Sequence, residues 1–172
     1  MNRSRPRRLT RRLCGVALAC ALALTALRAI ASTVCGVETL GVAFGSYDIV
    51  APLPTDSNGS LELVCTYVPS PGGPPPIINV YFSAGASGTL TDRRMMSATD
   101  ALRYNLYTDP ARSLIWGDGA AGTAFQSVSI RAGPGVGNAT RTELFTIYGR
   151  IPARQSVDSG DYTDTIVVTV EF

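Results

Sequence analysis

The chain has 172 residues, with fifteen basic side chains, all arginine, thirteen acidic ones and no histidine. The lack of histidine excludes Ser–His and Cys–His nucleophilic pairs, the HExxH zinc motif and most zinc geometries. Seven arginines fall within residues 1–31, so the remainder carries eight arginines against thirteen acids, a net charge of −5. It shows no clustered basic face for a nucleic acid.

Residues 1–12 hold six arginines and no acid, residues 13–27 ("LCGVALACALALTAL") are almost wholly apolar, and Ala29-Ile30-Ala31 places small residues where a signal peptidase reads them. This is the tripartite pattern of a secretory leader, with an apolar run short for a membrane span. The expectation is a signal peptide over 1–31, cut after Ala31, and a single domain over 32–172. A retained N-terminal anchor is the alternative, and cuts after Ala19 or Ala21 leave a very short apolar core. Export removes Cys14 and Cys20 and leaves Cys35 and Cys65, the pair an oxidising compartment joins. Two separate buried thiols are the other possibility.

From residue 32 onward the apolar pattern has period two and is broken by turn formers. Strands are predicted over 37–44, 60–67, 77–83, 102–107, 124–130, 144–148 and 165–172. Between them lie "PLPTDSNGS", "PSPGGPPP", "SAGASG", "TDPARS", "WGDGAAG", "RAGPGVGNAT" and "RQSVDSGDY", which concentrate residues that fix φ or tolerate φ > 0. No stretch reads convincingly as a helix, and residues 92–107 read as a strand followed by a turn. "PSPGGPPP" reads as a long hairpin loop. The pattern is that of an all-β sandwich. At the end, Ile166, Val168, Val170 and Phe172 alternate along "DTIVVTVEF", a strand with an apolar face and nothing after it to cover its edge.

Chemistry is sparse. The glycines of "GPGVG" lack the strand-to-helix setting and the lysine of a phosphate loop. Asp158, Asp161 and Asp164 gather near one turn and Asp118 lies between two glycines, but the spacing matches no calcium loop, so all four read as solvated turn residues. No carboxylate pair is nominated for hydrolysis. The reading is not an enzyme, with no cofactor, no metal and no small-molecule substrate.

Three stretches together carry a resemblance: "CGVETLGVAFGSYDIVAP", "RRMMSATDALRYNLYTDPARSLIWGDG" and "YGRIPARQSVDSGDYTDTIVVTVEF". With Cys65 in its strand, the chain resembles the spore coat protein U domain family, which includes subunits of archaic (Csu-type) chaperone–usher pili, over residues 35–172. The resemblance implies an immunoglobulin-like Greek-key sandwich that lacks its last strand and is completed by donor-strand complementation. It implies a disulfide between Cys35 and Cys65. It implies a groove with Leu40, Val42 and Phe44 on one side and Ile166, Val168, Val170 and Phe172 on the other, Phe172 lying where a chaperone grips the C-terminus. Its implied partners are a periplasmic chaperone, an outer-membrane usher and other pilus subunits, with passage through the periplasm to the cell surface or outside and a role in adhesion and biofilm formation. Tyr162 is expected to make a tyrosine-corner hydrogen bond and Trp116 to pack beside a glycine-rich turn. One departure stands out: cleavage after Ala31 leaves three residues before Cys35, enough to accept a strand and hardly to donate one, which suits a terminal place in a fibre or a member that does not polymerise; an earlier cut leaves "ALALTALRAIASTV" as a donor, with Arg28 awkwardly placed in it. The alternative function is a self-contained coat or lectin-like tip domain that does not polymerise, with Tyr67, Tyr107 and Trp116 near its loops.

Overall fold

In the computed structural model, which describes residues 30–70, 73–131 and 137–172, eight strands build two antiparallel sheets. The predicted leader lies outside the described residues except at its last two positions. The alternation of β2 (Thr55–Val68) sets the core: Leu61, Leu63, Cys65 and Tyr67 face inward and are buried, while Glu62 and Val64 face out. β1 (Ser32–Leu40) pairs on one side of β2 and β7 (Ala139–Ile151) on the other. β5 (Ala101–Tyr107) and β4 (Arg93–Met96) complete a sheet of order β1-β2-β7-β5-β4. The second sheet has β3 (Ile77–Phe82) between β6 (Gln126–Ser129) and β8 (Val168–Glu171).

This is an immunoglobulin-like sandwich. In the complete form a four-stranded sheet faces one in which a final seventh strand lies antiparallel beside the sixth. Here the place beside β8 holds no strand among the described residues.

Between the sheets lies Trp116, fully buried, its ring stacked on Phe82 at 4.1 Å and its Nε1 donating to the Val80 carbonyl at 2.9 Å. The buried hydrogen bond satisfies the one polar atom of the indole. Cys35 and Cys65 sit directly opposite each other in β1 and β2 and form a disulfide. Closing a loop of 30 residues contributes about 3.6 kcal/mol in the chain-entropy account, and it fastens β1, an edge strand, to the body.

Two local expectations are corrected. Residues 92–107 form a two-strand hairpin and not a strand then a turn, because Arg93 pairs with Tyr104 and Met96 with Ala101. The β4 stretch lacks apolar alternation because its buried residue is an arginine. Arg93 is fully buried and donates to the Ser83 carbonyl through Nε and Nη2, to Asn105 Oδ1 through Nη1 and to the Trp116 carbonyl through Nη2. Finally, "PSPGGPPP" is not a hairpin loop: β2 and β3 belong to different sheets, so it crosses from one to the other.

Candidate strand-binding groove

Two strand edges face each other without a strand between them among the described residues: that of β1 with its continuation to Phe44, and that of residues 163–168. The path of the first edge is set by two glycines. After Leu40 the chain leaves its pairing with β2 and crosses the inner face of the sheet. There Gly59 of β2 and Gly149 of β7 offer no side chain. A Cβ on Gly59 would fall 2.5 Å from the Leu40 carbonyl oxygen, and one on Gly149 would fall 2.6 Å from Val42 Cγ1 and 2.7 Å from Phe44 Cζ. Only a residue without Cβ permits this approach.

The second edge is held from its other side. Ser83 N–H donates to the Val167 carbonyl, Val167 N–H donates to Ser83 Oγ, and Thr163 exchanges hydrogen bonds with Met96. The Asp164 carboxylate locks the start of this segment, accepting from Tyr104 Oη at 2.7 Å, from Ala86 N–H and from Thr165 N–H. Burial, with the Asp164 hydrogen bond adding to it, pushes the Tyr104 phenol well above its ordinary value. Burial also lowers Arg93, partly opposed by the fields of Tyr104 and Asp164. The sequence reading of Asp164 as a solvated turn residue is therefore corrected: it anchors the groove edge. Asp118 likewise braces its own turn, its Oδ1 accepting from Ala120 N–H and Thr123 Oγ1.

Between the edges lies a cleft of about 300 Å³. Val42 and Phe44 form one wall, Ile166 and Val168 the other, and Phe82, Leu106 and Ile147 the floor. Tyr104 meets Phe44 edge-on at 6.0 Å. Beyond Val42, Phe44, Tyr162 and Thr163 the cleft opens into a wider mouth of about 900 Å³ lined by residues 42–49 and 157–163. The described residues contain no cluster of three or more metal-ligating side chains.

The structure brings together four of the seven residues expected to line the groove. Leu40 is corrected: it lies opposite Ser60 on the outer face and is 69% exposed. The expected alternation 40, 42, 44 fails because the inward face runs through Thr39 and Gly41 and shifts by one residue at the glycine crossing. Val170 packs against the core opposite Val80, outside the cleft, and Phe172 is 61% exposed past the end of β8. Tyr162 Oη donates to the Asp158 carbonyl at 2.8 Å, tying the turn four residues upstream to the groove edge.

Sequence reasoning missed the floor residues, Arg93 and both glycines. An interior strand glycine with apolar neighbours was the available signal, in "NGSLEL" and "IYGRI". Two of the aromatics considered for ligand contact are interior: Trp116 is fully buried, and Tyr67 is buried with its hydroxyl on the Pro74 carbonyl.

A family model described as the Spore Coat Protein U domain matches residues 21–169. Protein U of Myxococcus xanthus is 34% identical over 140 residues, covering 75% of this chain and 70% of its own length. Among solved structures, the CsuC–CsuE chaperone–tip adhesion subunit pre-assembly complex from the archaic chaperone–usher Csu pili of Acinetobacter baumannii aligns with a TM-score of 0.48 and 21% identity. That alignment covers 82% of this chain, which spans only 40% of that one. The family match takes in both cysteines, both crossing glycines and both groove walls, and on it and the Myxococcus relative the chain belongs to the spore coat protein U domain family, a family of structural subunits and not of enzymes.

Proposed function

We propose that this chain is an exported structural subunit of an archaic chaperone–usher pilus, which takes a strand from another chain into the groove between residues 39–44 and 163–168. A periplasmic chaperone fills the groove first, and another subunit replaces it at the outer-membrane usher. The leader within residues 1–31 directs export, residues 32–172 are the working domain, and the finished fibre serves surface attachment and biofilm formation. The observation that carries the reading is the apolar cleft between two strand edges that have no partner among the described residues, in a chain of this family. The physics is strand addition: main-chain hydrogen bonds along the β8 edge give affinity, and alternate side chains seated between Val42, Phe44, Ile166 and Val168 give specificity. An uncovered edge of this kind is otherwise a template for aggregation.

The test is export of the full chain with and without its cognate chaperone, followed by hydrogen exchange. With the chaperone, the amides of residues 163–168 gain protection and soluble yield rises. Ile166→Arg abolishes both effects while the disulfide still forms. A soluble monomer whose 163–168 amides are fully protected with no other chain present overturns the proposal.

A further inference from the structure

The two crossing glycines leave the sheet thin where it has to be firm. Gly59 and Gly149 present no side chain to residues 41–44, and a glycine inside a strand weakens it, having nothing to pack and more backbone freedom to lose. On the inner face Ser57, paired with Gly149, holds the crossing chain by donating through Oγ to the Ala43 carbonyl at 2.6 Å.

The outer face of the same two strands carries a brace. Arg112, from the loop after β5, lies there with its side chain only 12% exposed. Its Nε donates to the Gly149 carbonyl at 3.1 Å, and its Nη2 donates at 3.2 Å to Oδ1 of Asn58, the residue before Gly59. Asn58 pairs with Tyr148, and the guanidinium stands 5.7 Å from the centre of that ring. Nη1 lies 3.3 Å from Asp56 Oδ2, on a carboxylate that Arg150 grips through Nε and Nη2. Those hydrogen bonds from Arg150, and after them the field of Arg112, hold the Asp56 carboxyl below its ordinary value against the effect of burial. One planar fork therefore spans β2 and β7 directly behind both glycines, serving a carbonyl, an amide and a carboxylate together as an ammonium could not.

The backbone is bent to deliver it. Arg112 has a φ of 56°, in the left-handed region that a residue with a Cβ rarely enters. Such strain persists only where the surroundings over-determine it, and it gathers at functional positions. Here a closed turn imposes it. The Asp109 carboxylate accepts from Ser113 N–H, Ser113 Oγ and Leu114 N–H, Arg112 N–H donates to the Asp109 carbonyl, and Nη1 donates back to the Pro110 carbonyl. Glycine would adopt this φ without strain. The turn alone does not call for an arginine; its guanidinium does.

Building on the strand-acceptor reading above, we propose that Arg112 is a positioning residue for strand capture. From the outer face it locks β2 to β7 behind Gly59 and Gly149, and so fixes the surface over which residues 41–44 pass and the depth at which Val42 and Phe44 stand in the wall. Without it the two strands flex at the glycines, and an entering strand has to order the wall that it binds, which lowers its affinity.

The experiment exports the full chain with its cognate chaperone. It measures chaperone-bound chain as a fraction of soluble, disulfide-bonded chain, beside the urea midpoint of each variant. Arg112→Gly removes the guanidinium and relieves the φ strain. Its capture is expected to fall about tenfold, the low end for a lost hydrogen bond to a charged group, while relief of strain limits the fall in urea midpoint to less than about 0.5 M. Arg112→Lys keeps the charge beside Asp56 and one acceptor, and falls about threefold. Ile78→Val, a truncation in the core of β3 away from the groove, lowers the midpoint and leaves capture within about twofold of wild type. Wild-type capture by Arg112→Gly when Ile166→Arg abolishes capture overturns the proposal and leaves the groove standing. So does capture that follows the urea midpoint along one line for Arg112→Gly and Ile78→Val, as an arginine with a merely structural role would give. If Arg112→Gly yields no soluble chain, Arg112→Lys decides by the same two criteria. Capture indifferent to Ile166→Arg overturns the strand-acceptor reading, and the proposal with it.

Discussion

Replacing Gly59 by alanine probes the crossing on which the near wall of the groove depends. Gly59 is buried inside β2 opposite Ile147, and its φ lies outside the left-handed region, so alanine is permitted by the backbone. The obstacle is spatial. A Cβ falls 2.5 Å from the Leu40 carbonyl oxygen, 3.0 Å from Val42 Cγ2 and 3.1 Å from the Gly41 carbonyl carbon. Non-bonded heavy atoms settle at about 3.5–4.0 Å, so the backbone of residues 40–42 has to retreat by about an ångström. Overpacking of this kind costs about 1–3 kcal/mol, against about 0.5–1 kcal/mol regained because alanine is the better strand residue. The net loss is about 1–2 kcal/mol, a fall of roughly 0.5–1 M in the urea midpoint for an m-value near 2 kcal/mol/M. The retreat also withdraws Val42 from the cleft, so strand capture weakens along with stability. Gly36→Ala is the control: its Cβ meets nothing within 4 Å, and it is expected to be neutral or slightly stabilising. Equal urea midpoints for Gly59→Ala and Gly36→Ala, with equal strand capture, would refute the close-crossing argument.

Tyr104→Phe removes the hydroxyl donated to Asp164 and is expected to cost about 1–2 kcal/mol at pH 7. Because burial and then Asp164 raise the phenol above its ordinary 10.0, the unfolded chain loses that proton first. The contribution of Tyr104 is complete below about pH 10 and is lost as pH rises beyond it. Urea midpoints from pH 9 to 11.5 should therefore fall more steeply for the wild type than for Tyr104→Phe; parallel curves would count against the assignment. Arg93→Lys keeps the charge but cannot serve Ser83, Asn105 and Trp116 together. It should cost about 2–3 kcal/mol, read as a melting point lower by about 6–10 °C, whereas a shift under about 2 °C would show that the buried guanidinium is dispensable.

The strands that bury a strict alternation were legible because burial alone dictates them. β2, β3 and β5 appear within a few residues of their expected bounds, with Leu61, Leu63, Ile78, Val80 and Leu106 in the core. Strands set by a partner were not. β1 begins at Ser32 and not at 37 because pairing with β2, fastened at Cys35–Cys65, extends it upstream. β8 is confined to Val168–Glu171 because only that stretch finds β3, while residues 164–167 are held by the two hydrogen bonds between Val167 and Ser83 and by those that the Asp164 carboxylate accepts from Tyr104, Ala86 and Thr165. β4 was invisible as a strand because a satisfied buried arginine looks, in sequence, like a surface residue.

The groove was legible for a different reason and with a different limit. Ile166 and Val168 alternate as any inward-facing strand does, and nothing local separates a core wall from the wall of an open cleft. What separates them is that no strand lies beside β8 on the side away from β3 among the described residues, a property of the sheet order and not of any local stretch. The opposite wall depends on a phase shift at Gly41 that no period-two reading produces, because its cause lies 18 and 108 residues downstream, at Gly59 and Gly149. A chain that held the inward phase of Thr39 and Gly41 would pair straight on with β2, turn Val42 and Phe44 to the outer face and never cross. With side chains at positions 59 and 149, residues 41–44 would be pushed off the inner face and the cleft would lose a wall. The capacity to receive a strand thus rests less on the apolar residues that line the groove than on the two glycines that let one backbone pass over another.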